Sequence, residues 1–154
     1  MKGDDMTEVA KKNVEKAPPR WLLKLFTKVN VFVYKLSGGR LMNTLSGMPI
    51  LLVKMRGAKS GKTHTIPLMH VPYDTGFLLV ASQGGAPKNP AWYHNLVAHS
   101  DVTITFDGRT RAMRVRCLLD EEKSSFWSIC CEYYPPYQEY QDRTDRNIPV
   151  FLRE

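Results

Sequence analysis

The stretch VTITFDGRTRAMRVRCLL, Val102–Leu119, decides the architecture. Val102, Ile104 and Phe106 alternate with Thr103 and Thr105, the period of two that turns one face of a strand toward a core. Asp107-Gly108 is a strong two-residue hairpin signal, so the arginine-rich run after it returns as a neighbouring antiparallel strand. Upstream, PILLVKMRG reads as a strand, AKSGK as a turn, and THTIPLMHVPY as a second strand whose Pro67 and Pro72 suit an edge or a bulge. DTG then turns the chain into the strand FLLVAS. Downstream, Asp120 is placed to cap a helix over EEKSSFWSICCEYY, with Glu121 and Glu122 near its positive end, and IPVFL makes a last short strand. Six short, mostly antiparallel strands, with one helix after the third and another before the last, predict a mainly β fold: a small barrel with peripheral helices. Strands and helices do not alternate regularly and no GxGxxG follows a strand, which disfavours a doubly wound fold and a classical nicotinamide site.

With 154 residues the chain suits one domain and one core. Residues 1–19 form a polar, lysine-rich leader ending in Pro18-Pro19, without an apolar signal core. Residues 20–39 form an amphipathic helix: Trp21, Leu22, Leu25, Phe26, Val29, Phe32, Val33 and Leu36 make an apolar stripe opposite Lys24, Lys28 and Lys35, and Gly38-Gly39 ends it. Its lysines forbid a comfortable transmembrane span, leaving two readings: packing against its own domain, or peripheral contact with an anionic membrane. Residues 40–154 hold the barrel. Charge divides unevenly, at +9 over residues 1–62 and −2 over residues 63–154. Such a basic first part suits an anionic surface or a polyanionic ligand. Nucleic acid ranks low, because the basic residues lack interleaved aromatics. Cys117, Cys130 and Cys131 have no CxxC spacing and predict a reducing, cytoplasmic setting, on the inner face of the membrane if the helix docks there. The four histidines never fall at i,i+4, so no metal site is expected.

Three segments carry candidate chemistry. In SQGGAPKNPAWYHNL, Ser82–Leu96, two glycines permit close ligand approach, and Asn89 is placed to cap a helix beginning at Pro90. Together with Lys88 they read as an anion-binding turn or as an ordinary glycine turn. RGAKSGKTH groups Arg56, Lys59, Ser60, Lys62 and His64 about Gly61, without the P-loop spacing. In YYPPYQEYQDR, Tyr134, Tyr137 and Tyr140 recur every three residues, able to wall an apolar pocket while presenting hydroxyl donors, or simply to pack. No nucleophile–base–acid set is visible, so any chemistry belongs to a bound cofactor.

GAKSGKTHTIPLMHV, VASQGGAPKNPAWYHNL and YYPPYQEYQDRTDRNIPV together closely resemble the deazaflavin-dependent nitroreductase family of actinobacteria, collinearly from about Met48 to the C-terminus. The resemblance implies a split β-barrel binding coenzyme F420, an 8-hydroxy-5-deazaflavin with a phosphate and an oligoglutamate tail. It puts the tail and phosphate near Lys59, Ser60 and His64, with Lys88 and Asn89 close, and the ring near Pro67, Met69, Ser82, Gln83, Gly84 and Trp92. Tyr134, Tyr137 and Tyr140 would line the substrate pocket, with Tyr137 as proton donor or substrate orienter, assisted by Ser82 or Tyr134. The implied reaction is hydride transfer from the reduced deazaflavin to a quinone, activated enone or nitroaromatic, a small hydrophobic electron acceptor, by a monomer or dimer. Ala58, Met69 and Gln83 depart from the Arg, Tyr and Lys of the family's characterised nitroreductase, which bears on nitroimidazole activation more than on cofactor binding. Alternatives are a non-catalytic deazaflavin carrier or hydrophobic-ligand binder, and an FMN-binding split-barrel oxidoreductase, FMN being the less favoured cofactor.

Overall fold

The structure is a computed structural model and describes residues 44–45 and 47–154. The leader, the amphipathic helix and the membrane contact assigned to it lie outside the described residues. In chain order the elements are β1 (Thr44–Leu45), β2 (Met48–Arg56), β3 (Thr63–Met69), β4 (Val71–Tyr73), β5 (Gly76–Val80), α1 (Ala91–Ala98), β6 (Asp101–Phe106), β7 (Arg109–Cys117), α2 (Asp120–Tyr133), α3 (Pro136–Asp142) and β8 (Val150–Arg153). All strand pairs are antiparallel, in the order β1-β2-β6-β7-β8-β5-β4, with β3 paired to β2 beside that path. The result is the curled sheet of a split β-barrel.

The hairpin between β6 and β7 places Phe106 directly opposite Arg109. Asp107 and Gly108 both have positive φ, 48° and 73°, which a type I′ turn requires and which matches the right-handed twist of the strands. Where the sequence predicts one strand over THTIPLMHVPY, the structure breaks it at His70. The His70 N–H donates to Pro49 O, 2.9 Å away, and the chain then leaves β2 to pair with β5 as β4. Pro67 and Pro72 lie in strands with a single ladder partner each, where a missing N–H breaks no bond.

Alternation assigns each strand's faces. Leu51, Val53 and Met55 of β2 join Leu79, Leu96, Val102, Ile104 and Phe151 in the barrel core. β5 is apolar on both faces: Phe77 and Leu79 enter that core, while Leu78 and Val80 meet Cys130, Tyr137 and Ile148 beneath α2 and α3. A continuous apolar run is what burial on two sides demands. Each such fully buried leucine contributes about 2 kcal/mol.

The start of α2 corrects one expectation. Leu119, not Asp120, occupies the N-cap position, and its N–H donates to Glu122 Oε2 at 3.0 Å. Glu122 also accepts from both ends of the Arg116 guanidinium, at 2.8 and 2.9 Å, so a residue one turn inside the helix satisfies its first donor. Asp120 is instead the first helical residue and accepts from Asn147. Lys123 is buried between α2 and the last loop, donating to Gln141 and Asn147 and lying over the Trp127 ring.

Candidate functional site

The β2–β3 turn folds tightly because Gly57 and Gly61 bond to each other across it: Gly61 N–H donates to Gly57 O at 3.0 Å, and Gly57 N–H to Lys62 O at 2.8 Å. A methyl group on Gly57 would lie 2.6 Å from Ser60 Oγ and 2.8 Å from His64 Nε2. Only glycine lets these side chains lie over the turn. They line a cleft of about 630 Å³ together with Lys59, Met55, Ile66, Trp92 and Asn95. Three predicted tail-binding residues and the predicted Trp92 therefore share one concavity, cationic at its rim and apolar within. Asn95 was not singled out from sequence. Its Oδ1 accepts from Ala58 N–H at 2.9 Å, tying α1 to the basic turn, and the available signal was its position three residues after Trp92 on one helical face.

Lys88 and Asn89 do not line that cleft. Lys88 is exposed in the bend before α1. Asn89 does not cap α1: Pro90 holds the N-cap position without a side-chain bond, and Asn89 Oδ1 accepts from Arg146 Nη1 at 2.7 Å. The competing guanidinium took the oxygen that the cap would have used. Arg146 has no distinguishing context in sequence, yet it also donates to Ala86 O, Ser82 O and Ala81 O, at 2.7, 2.8 and 3.2 Å. One side chain thus pins both ends of the turn that carries Ser82, Gln83 and Gly84.

That turn is left-handed: φ is 44° at Gln83, 63° at Gly84 and 77° at Gly85. A side chain at φ > 0 is uncommon, and its strain persists only where surrounding bonds enforce it, here those of Arg146. Gly84 is open, with nothing within 4 Å of an added methyl. Gly85 is closed: a methyl there would meet the Tyr140 carbonyl at 2.5 Å. The glycine turn and the tyrosine helix α3 are therefore in direct contact.

The three tyrosines form one cluster, with Tyr134 to Tyr137 ring centroids 5.0 Å apart and Tyr140 at 6.4 and 6.3 Å from them. Tyr137 is buried, and its hydroxyl donates to Met69 Sδ at 3.5 Å. Burial pushes its phenol well above the ordinary range, so it stays a neutral donor. A hydrogen bond with Tyr134, followed by burial, also raises the Tyr140 phenol.

β3 connects the two regions. His64 pairs with Met55 and Ile66 with Val53, on the core face, whereas Pro67 pairs with Leu52 and Met69 with Ile50, on the other. His64 and Met69 are five residues apart, about 17 Å along an extended strand. The predicted tail residues and the tyrosines thus stand at opposite ends of one strand rather than around one cavity. A long ligand with an anionic end and a planar end fits such a layout, and the uncrowded Gly84 leaves room for a ring at the second end. The residues present suit coenzyme F420 in charge, in the glycine cradle at Gly57 and in the open backbone at Gly84.

The fold is that of the split-barrel class to which F420-dependent reductases belong. Residues 26–154 match the F420H(2)-dependent quinone reductase family, and the chain belongs to it. A Mycobacterium tuberculosis protein named F420H(2)-dependent quinone reductase is 34% identical over 124 residues, covering 78% of this chain and 83% of that one. A solved structure of an F420-H2 dependent reductase (FDR-A) is similar with a TM-score of 0.62 at 45% identity, covering 69% of this chain and 94% of its own. Another, described as a domain-swapped dimer, has a TM-score of 0.63 at 38% identity, covering 83% and 100%. The chain is accordingly an oxidoreductase with coenzyme F420 as cofactor, acting on quinones. Among the described residues no helix is long and apolar enough to cross a membrane.

Proposed function

We propose that the chain reduces its quinone against the tyrosine cluster, with Tyr137 donating a hydrogen bond or proton to the acceptor oxygen, and that activated enones are reduced in the same way. The reduced deazaflavin supplies the hydride when bound. Lys59, Ser60 and His64 hold the anionic tail, Trp92 and Asn95 form the apolar wall and its anchor, and Ser82–Gly84 border the ring. Tyr134 and Tyr140 wall the acceptor pocket with flat, apolar faces. Nitroaromatic acceptors rank last, since Met69 brings a thioether where the resembling nitroreductase carries a phenol.

One observation carries this reading: a buried, neutral phenol on the helix whose Tyr140 backbone meets the left-handed glycine turn, its only hydrogen-bond partner among the described residues a weakly accepting sulfur. A carbonyl or quinone oxygen is a better acceptor than a thioether, so the donor is free to exchange. Tyr137→Phe should lower kcat with menadione by roughly 10²-fold, in the range of a lost general acid, while the Kd for F420 stays within twofold. Unchanged turnover would remove the role. Dimer formation is proposed on the likeness to the domain-swapped dimer, and light scattering giving the mass of one chain would exclude it.

A further inference from the structure

β6 turns Val102, Ile104 and Phe106 toward the core, and residues directly opposite in an antiparallel ladder share a face. Met113 stands opposite Val102, as the pattern asks, but Arg111 stands opposite Ile104 and Arg109 opposite Phe106. Val115, next in the same alternation, is fully buried and pairs with Arg153 at the end of β8. Three guanidiniums therefore arise on the core-facing side of the sheet, where the barrel opens beside the Asp107-Gly108 hairpin. Cations at positions that the alternation reserves for apolar side chains are a local conflict of the kind that functional sites retain.

The three arginines border a cavity of about 330 Å³. Its wall is aromatic: the His70 ring stacks on Phe106 with centroids 4.2 Å apart and planes inclined by 16°, and meets Phe77 at 6.2 Å. Burial holds the His70 imidazole below its ordinary value, which leaves it an uncharged ring at neutral pH. Arg153 is fixed at the rim by donating to Thr75 O at 3.0 Å. Asp107 is the single acid in the lining, against three arginines. Among the described residues the ion pairs engage Arg114, Arg116 and Arg143, not Arg109 or Arg111. None of the cavity's lining residues belongs to the cofactor cleft.

A guanidinium fork pairs with a carboxylate bidentately, and flat rings stack on flat rings. The volume is at the small end of ligand pockets, which begin at roughly 300 Å³, so it suits one or two fused rings rather than a nucleotide. We propose that this arginine-rimmed pocket at the barrel mouth is a second site, binding a planar aromatic carboxylate separately from the cofactor.

The full chain, saturated with coenzyme F420, should bind 2-naphthoate saturably in isothermal titration. Affinity should fall at least tenfold in the double variant Arg109→Gln/Arg111→Gln, whose positions are exposed, and at least tenfold when the neutral amide 2-naphthamide replaces the carboxylate. F420 affinity of the double variant should stay within twofold of the parent. The proposal is overturned by absence of saturable binding at millimolar naphthoate, by equal affinity for the amide, or by unchanged affinity in the double variant. A parallel loss of F420 binding would equally remove the second site, since both ligands would then share one.

Discussion

Gly84 and Gly85 are adjacent, both left-handed, and physically unlike. At Gly84 a side chain meets no atom, so Gly84→Ala should cost about 1 kcal/mol of stability from backbone strain alone. At Gly85 the same methyl is driven against the backbone of α3, which cannot rotate away as a side chain would. Gly85→Ala should cost about 2 kcal/mol or more and lower Tm by roughly 5 °C or more, with the tyrosine cluster displaced. Equal melting temperatures for the two variants would show that the Tyr140 contact is not enforced. Sequence presents the two glycines as a pair of equals; only the position of α3 separates them. For the same reason the Tyr137 hydroxyl and Met69 sulfur, 68 positions apart, are joined by folding and by no local signal.

Between elements, Arg146 decides the shape of the 81–89 segment. Its four acceptors are three carbonyls and one amide oxygen, spread over both ends of the turn. A planar donor set in which Nε and Nη1 serve one end and Nη2 is shared between two carbonyls at the other is not replaced by a point charge. Arg146→Leu should lower F420 affinity at least tenfold and accelerate hydrogen exchange at residues 82–89, while the β6–β7 ladder keeps its protection. Arg146→Lys should rescue little of this. Full cofactor affinity in Arg146→Leu would mean that Gln83 and Gly84 hold their torsions unaided. The displaced caps follow the same logic: Asn89 and Asp120 are good capping residues by type, but each oxygen accepts instead from a distant segment, Asn89 from the Arg146 guanidinium and Asp120 from the Asn147 amide.

Across the whole molecule, buried acids with raised values make stability fall in alkali. Burial, then the neighbouring Cys131, pushes the Cys130 thiol from 9.0 up to about 12, and burial keeps the Tyr137 phenol neutral as well. The folded state holds these protons more firmly than the unfolded chain does. Their contribution is complete below about pH 9, where the unfolded thiol is still protonated, and is lost progressively as pH rises toward 12. Cys130→Ala should flatten the decline of urea-unfolding stability between pH 9 and 11; an unaltered slope would assign the decline elsewhere.

The strand segments from Met48 onward, the antiparallel Asp107-Gly108 hairpin, the edge prolines and the basic glycine turn were legible along the chain, whereas the short β1 and the division of one predicted strand into β3 and β4, which raise six strands to eight, were not. Each legible feature depends on torsions or alternation within a few residues, which sequence carries directly. The family resemblance rested on the same local motifs and holds for residues 26–154. What tertiary structure alone decided was which side chains meet: the break at His70, Asn95 against Ala58, Arg146 on its loop, and the two ends of β3 separated by one strand length. It also decided that Arg109 and Arg111 share a face with buried apolar neighbours, because ladder register is a relation between two strands. Local chemistry wrote the elements; closure of the sheet chose their partners.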